Sequence, residues 1–159
     1  MLLEGIYLPL TTPFYPDGRL YLRKLEHNVD RYSRTPASGL MVLGRVGEAD
    51  SLTDDETRQV LTTAIAVAAK EKVMIAAVGR ESVFATLLMA DAAANAGYDG
   101  IVVRPPAFAF DPALRLETLT YFRSIADRAG LPILLVSEGL SVAILRGSGE
   151  PARSRLRWH

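Results

Sequence analysis

Five short apolar runs recur at intervals of roughly 30 residues, separated by stretches of helical period, and this rhythm is what most constrains the fold. The runs are Ile6 to Leu10, Leu40 to Leu43, Val73 to Val78, Ile101 to Val103 and Pro132 to Val136. Each is almost continuously apolar, as parallel strands buried on both faces are. Between the first two, Leu22, Leu25, Val29 and Tyr32 fall at steps of three and four and predict one helical face. A second helix is predicted from Thr53 to about Lys70, with Val60, Ala64, Val67 and Ala68 on one side. Thr53-Asp54-Asp55-Glu56 opens it as a capping box, in which hydroxyl and carboxylate satisfy each other's backbone N–H groups. A third is predicted from about Ser82 to Ala96, with Phe84, Leu87 and Leu88 as its stripe and Gly97 just past its end. A fourth starts at Asp111-Pro112 and presents Leu119, Phe122, Ile125 and Ala129, closing at Gly130. The reading is an α/β fold with a parallel sheet of about five βα strands.

The rhythm stops at Val136. Residues 1–136 read as one domain, and 137–159 as a divergent, disordered tail. That tail has one apolar cluster, Val142 to Leu145, and then Gly, Ser and Pro interspersed with Arg146, Arg153, Arg155 and Arg157. A sixth βα unit is not expected in it. The 159 residues carry 18 basic and 18 acidic side chains, a balance that points away from nucleic acid or a charged membrane surface as partner. Cysteine is absent, so disulfides and thiol catalysis are excluded. The first residues lack the basic start and long apolar run of a signal peptide, and no stretch reaches the roughly 20 apolar residues of a spanning helix. A soluble cytoplasmic protein is expected.

Ligands of parallel α/β proteins sit at the carboxyl ends of the strands. There the second run meets Gly44-Arg45-Val46-Gly47-Glu48, a glycine-bracketed loop predicted to bind substrate. Arg45, Arg80 and Arg104 each follow a strand at this same end. A guanidinium matches a carboxylate or phosphate bidentately, so the three together are a candidate anion site. Glu48 is read as a loop acceptor of backbone N–H bonds rather than as a catalytic acid. His27 and His159 lack partners at ligand spacing, so no metal is expected. Tyr7 and Tyr98 are expected to pack. Gly44-x-x-Gly47 is too short for a dinucleotide fingerprint, and no cofactor is expected.

The order of these signals resembles the dihydrodipicolinate synthase / N-acetylneuraminate lyase family of class I aldolases. The resemblance rests on Leu10-Thr11-Thr12-Pro13-Phe14 with Asp17-Gly18, on Gly39 to Gly44 with Gly47-Glu48, and on Leu52 to Glu56. It continues through Ala93 to Gly100, Val102-Val103-Arg104-Pro105 and Leu131 to Leu135. It implies a (β/α)8 barrel of about 250 residues. It also implies aldolase or lyase chemistry in which a lysine at the end of the sixth strand holds pyruvate, or a related 2-keto acid, as a Schiff base. This chain departs from the family at its reactive positions. Arg45 and Val46 stand where the family has two hydroxyl residues, Val136 where it has the strand-five tyrosine, and Pro106-Ala107 where it has a pair of tyrosines. The lysines are Lys24, Lys70 and Lys72 alone, each expected to be a solvated surface charge, so no catalytic residue is assigned.

Two readings follow. In the first, the chain is an incomplete (β/α)8 barrel, a truncated and inactive family member of the kind a frameshift after Val136 would leave. Its open strand edges imply marginal stability, aggregation or rescue as a homo-oligomer. In the second, it is a non-enzymatic open α/β module that binds a carboxylate or phosphate through Arg45, Arg80 and Arg104. Strand order separates them: 1-2-3-4-5 for the partial barrel, 2-1-3-4-5 for the doubly wound module.

Overall fold

A computed structural model describes residues 3–136 and the pair Leu156–Arg157. Strands β1 (Tyr7–Pro9), β2 (Gly39–Val42), β3 (Val73–Ala77), β4 (Gly100–Val103) and β5 (Ile133–Leu135) alternate with helices α1 (Leu22–Ser33), α2 (Asp54–Val67), α3 (Val83–Ala96) and α4 (Arg115–Ala126). All neighbouring strands pair in parallel and in chain order. That sequential order is the one a partial (β/α)8 barrel requires, and it overturns the doubly wound arrangement as a fold. Leu156–Arg157 forms a further strand, β6, parallel to β5 through Ile133↔Leu156. Two residues carry no periodicity, so this strand left no trace in the sequence pattern. The rest of the predicted basic tail, with its Val142–Leu145 cluster, lies outside the described residues.

Side-chain alternation divides the strands between two environments. Leu40 and Val42, Met74 and Ala76, and Ile101 and Val103 are buried against the helices in one continuous core. Met41, Ala77 and Val102, on the opposite face, point instead to the concave side of the sheet, where they line a cavity. The pairings Met41↔Ile75 and Ala77↔Val102 bring these inward positions side by side. Gly39 is fixed by its neighbours in the sheet: a Cβ there would overlap the Val73 carbonyl oxygen and the Tyr7 ring.

Each helix forms near its expected place, with local differences that packing explains. In α1, Leu25 and Val29 are buried as expected, but Tyr32 is 38% exposed and Ser33 takes the inward position. The Ser33 hydroxyl accepts the Ala69 N–H at 3.2 Å, satisfying a donor just past the end of α2. The stripe expected in α3 is corrected more sharply. Phe84 is 69% exposed and Leu88 40%, while Leu87, Met89, Ala90 and Ala93 face the core. This helix is apolar nearly all round, so periodicity alone admits several faces. Contact with the sheet selected the one whose alanines allow close approach. The expected helix start at Asp111 is a 3-10 turn over Pro112–Leu114, in which the Asp111 carboxylate accepts the Ala113 N–H at 2.9 Å, and α4 begins only at Arg115. Gly97 ends α3 with φ of 100°, the left-handed conformation expected of a glycine there.

The capping box forms in full. Glu56 N–H donates to the Thr53 hydroxyl at 3.2 Å, while the Thr53 N–H and hydroxyl donate to the Glu56 carboxylate at 2.9 and 2.8 Å. These bonds hold the Glu56 carboxyl below its ordinary range. A carboxyl that titrates lower in the folded chain than in the unfolded one stabilises the fold above its unfolded value. That contribution is lost as pH falls through the folded value. We therefore expect the Glu56 carboxyl to titrate at higher pH in Thr53→Ala, read by carbon NMR, with unfolding free energy reduced by about 1 kcal/mol at neutral pH.

Candidate functional site

The site is built where β2, β3, β4 and β5 deliver their carboxyl ends to one mouth. A cavity of about 510 Å³ opens there. Its floor is the inward face of the strands and their exits, with Met41, Ala77, Val102 and Val136. Its rim comes from the loops, with Arg45, Glu48, Asp50, Ser51, Arg104 and Phe110.

The β2 exit is shaped by two left-handed residues that are not glycine, Leu43 at φ 61° and Glu48 at φ 54°. Such conformations are uncommon for residues with a Cβ and persist where the surroundings hold them. Leu43 is buried in the core, and the loop between the two is pinned by the Thr12 hydroxyl, which donates to the Gly47 carbonyl at 2.6 Å. Gly47 lies under the chain leaving β1, where a Cβ would sit 3.1 Å from the Leu10 carbonyl oxygen. Arg45 and Val46 form a short 3-10 turn and are exposed. Arg45, with Gly44, lines the cavity, whereas Val46 and Gly47 are not on its wall. The Glu48 carboxylate is exposed on the wall, and its backbone carbonyl accepts the Ser51 N–H at 2.9 Å.

The three arginines do not share one environment. Arg104 stands on the rim between two carboxylates, 2.7 Å from Asp50 and 3.3 Å from Glu81. Glu81 also accepts the Ala107 N–H at 2.8 Å, so one chain of contacts joins the loops after β2, β3 and β4. Arg80 turns away from the cavity into the start of α2. It donates to the Thr57 hydroxyl at 3.0 Å, lies 3.8 Å from Asp54, and is only 15% exposed at its side chain. Arg45 and Arg104 are thus brought to one mouth, and Arg80 is not.

Behind the mouth, the β3–α3 loop is held by a buried polar cluster that the sequence reading did not single out. The Arg80 N–H donates to the Thr86 hydroxyl at 2.9 Å, and the Tyr121 hydroxyl donates to the Arg80 carbonyl at 2.6 Å. Thr86 and Tyr121 are themselves 2.9 Å apart. Burial raises the Tyr121 phenol, an effect that its bonds to Thr86 and Arg80 partly oppose. The available signal was polar residues on buried helix faces, since Thr57, Thr86 and Thr118 are all fully buried. Tyr98 packs with its hydroxyl on the Leu61 carbonyl at 3.0 Å, and burial pushes its phenol up strongly. Tyr7 is likewise raised, by burial and the Asp99 charge.

Lysines are absent from the cavity wall. Lys24 is exposed on α1, and Lys70 is exposed beyond α2. Lys72 departs from the expected solvated charge: it is half-buried and donates to the Thr35 and Ala37 carbonyls at 2.7 Å each. It immediately precedes β3 and so belongs to the amino-terminal side of the sheet, opposite the mouth. Among the described residues, no group of three or more His, Cys, Asp or Glu could hold a metal ion, and no helix is long and apolar enough to cross a membrane.

The chain is similar to known proteins in sequence and fold. The Dihydrodipicolinate synthetase family matches residues 2–142. A 4-hydroxy-tetrahydrodipicolinate synthase from Xanthomonas campestris pv. campestris is 32% identical over 136 residues, 85% of this chain and 44% of that protein. An N-acetylneuraminate lyase from Rhizobium meliloti is 34% identical over 135 residues, 85% of this chain and 44% of that protein. The crystal structure of YagE, a prophage protein of the dihydrodipicolinic acid synthase family from E. coli K12 in complex with pyruvate, superposes with a TM-score of 0.77. It is 28% identical, and the match covers 85% of this chain and 45% of that one. The chain therefore spans less than half the length of the curated relatives it matches.

The Tyr121 hydroxyl supports the loop that carries Arg80 and Glu81, and Tyr121→Phe removes one donor from the part-buried Arg80 carbonyl. We expect this substitution to lower the unfolding free energy by about 1 kcal/mol in urea titration, with the helical content unchanged.

Proposed function

This chain belongs to the Dihydrodipicolinate synthetase family, and from that premise we propose that its sheet mouth binds a small carboxylate of the 2-keto acid class without covalent capture by its own lysines. The class comes from the family's Schiff-base chemistry and from the pyruvate bound by YagE. The observation that carries the reading is the composition of the cavity wall. It presents the Arg45 and Arg104 guanidinium groups to an incoming anion and no amine to its carbonyl. Schiff-base formation needs a neutral amine in contact with the carbonyl carbon. Lys72 is committed to two backbone carbonyls on the far side of the sheet, Lys24 is exposed on α1, and Lys70 is exposed in the turn beyond α2. The carboxylate is assigned to Arg45, which lines the cavity on the β2 loop at a position where the family has a hydroxyl residue, whereas Arg80 is turned toward α2. A guanidinium offers five N–H donors, enough to take a carboxylate alongside another contact. In this reading the Gly44–Glu48 loop binds rather than catalyses, and the protein is cytoplasmic.

Two measurements test it. Borohydride treatment with pyruvate is expected to leave the mass of the chain unchanged, and a stable adduct on any lysine would sink the proposal. Pyruvate titrated by calorimetry is expected to bind weakly to the native chain and at least 10-fold more weakly to Arg45→Ala. Equal affinity would remove Arg45 from the site.

We also propose that the folded chain is a homo-oligomer. The outer edge of β1 has no ladder partner among the described residues, and an unpaired strand edge is a template for another chain. Light scattering is expected to give at least twice the 17.3 kDa of one chain. A monodisperse monomer with a cooperative melt would contradict this.

A further inference from the structure

Polar and apolar groups are segregated in the cavity, and that segregation says more about the ligand than its carboxylate. Among the described residues, the charged lining residues Arg45, Glu48, Asp50 and Arg104 all lie on the rim loops. The floor is made by strand residues, and Met41, Ala77, Val102 and Val136 bring no hydroxyl, amide or charge to it. Leu43 and Pro105 extend the apolar wall, and Phe110, 53% exposed, stands at the opening. Ser51 is the one lining residue with a hydroxyl among the described residues, and it too is on the loop.

This composition discriminates between ligand bodies. A hydroxyl buried against such a floor loses its water and gains no partner, which is costly, whereas each apolar carbon buried there is favourable. The volume of about 510 Å³ lies within the range of sites for ligands larger than three-carbon acids. Arg104 adds little net attraction for a second anionic group, since Asp50 and Glu81 stand 2.7 and 3.3 Å away. A dianion would also meet the Glu48 and Asp50 carboxylates on the same wall.

We infer that the site selects a monocarboxylate with an apolar body, of the branched-chain or aryl 2-keto acid type. Polyhydroxylated sugar acids and dicarboxylates are discriminated against. The inference rests on the carboxylate reading of the mouth given above and adds the character of the remainder of the ligand. The carboxylate is held at the rim by Arg45. The apolar body lies on the strand face formed by Met41, Val102 and Val136. Specificity is set by those inward strand positions rather than by the loop.

Calorimetry on the full 159-residue chain with pyruvate, 4-methyl-2-oxopentanoate, phenylpyruvate, 2-oxoglutarate and N-acetylneuraminate tests it. A buried methylene is worth about fourfold in affinity, so 4-methyl-2-oxopentanoate is expected to bind at least ~10-fold more tightly than pyruvate. N-acetylneuraminate and 2-oxoglutarate are expected to bind more weakly than 4-methyl-2-oxopentanoate. Val102→Thr and Val136→Thr keep the shape and β-branching of the floor while adding a hydroxyl. Each is expected to narrow the preference for the branched acid over pyruvate ~3-fold or more, with circular dichroism reporting an intact fold. Equal affinity for pyruvate and the branched acid, or tighter binding of the sugar acid or the dicarboxylate, overturns this inference and leaves the carboxylate reading standing. Absence of heat with every ligand overturns both.

Discussion

The parallel ladder running in chain order from β1 to β5 is the constraint on which the rest depends. Because each strand from β1 to β4 is followed by a helix that returns over the same face, alternate strand residues meet either the helices or the concave side. Leu40, Met74, Ile101 and Ile133 are the helix-facing set, buried to within 2% of complete exclusion from water. Met41, Ala77, Val102 and Val136 form the other set and become the floor of the mouth. A shift of one residue in a strand's register would exchange the two sets at that strand, taking apolar contact from the core and altering the floor together. The stability of the sheet and the chemistry of the cavity are therefore one geometric fact.

The mouth itself is held by polar contacts among loops far apart in sequence. Asp50, Arg104, Glu81 and the Ala107 N–H link three loops at the surface, where the charges are partly exposed and their individual contributions small. Thr86 and Tyr121 fix the same β3–α3 loop from beneath, in a setting where an unmade hydrogen bond is expensive. Surface pairs position the rim, while the hydroxyls of Thr86 and Tyr121 bond the loop backbone at Arg80. Arg80 shows how the two differ, since its backbone belongs to the buried cluster and its side chain to the start of α2. Its place in sequence put it beside Arg45 and Arg104, and its contacts remove it from the cavity.

Much of the architecture was legible because it rests on local signals. The Thr53–Glu56 capping box, the left-handed Gly97 and the apolar runs each depend on a few neighbouring residues, and each forms as those residues require. Faces and partners were less legible. Phe84 and Leu88 looked like the buried stripe of α3, but an almost wholly apolar helix has no preferred face until a sheet is laid against it. Lys72 looked solvated, yet the turn before β2 brings the Thr35 and Ala37 carbonyls to its ammonium group. β6 left no signal because a two-residue strand is specified by the partner it pairs with.

Local sequence signals specify the βα order, the parallel character of the strands and the family. These follow from periodicity, capping residues and the positions of glycine, all of which act over a few residues. Long-range contacts set the sequential strand order, the meeting of Arg45 and Arg104 at the mouth without Arg80, and the apolar floor among the described residues. Those outcomes depend on which side chains meet across distances of 23 to 54 residues in the chain, as in the Arg80–Thr57 and Arg104–Asp50 contacts. Such meetings are set by how the strands pair and the loops pack over them, and no local pattern encodes them.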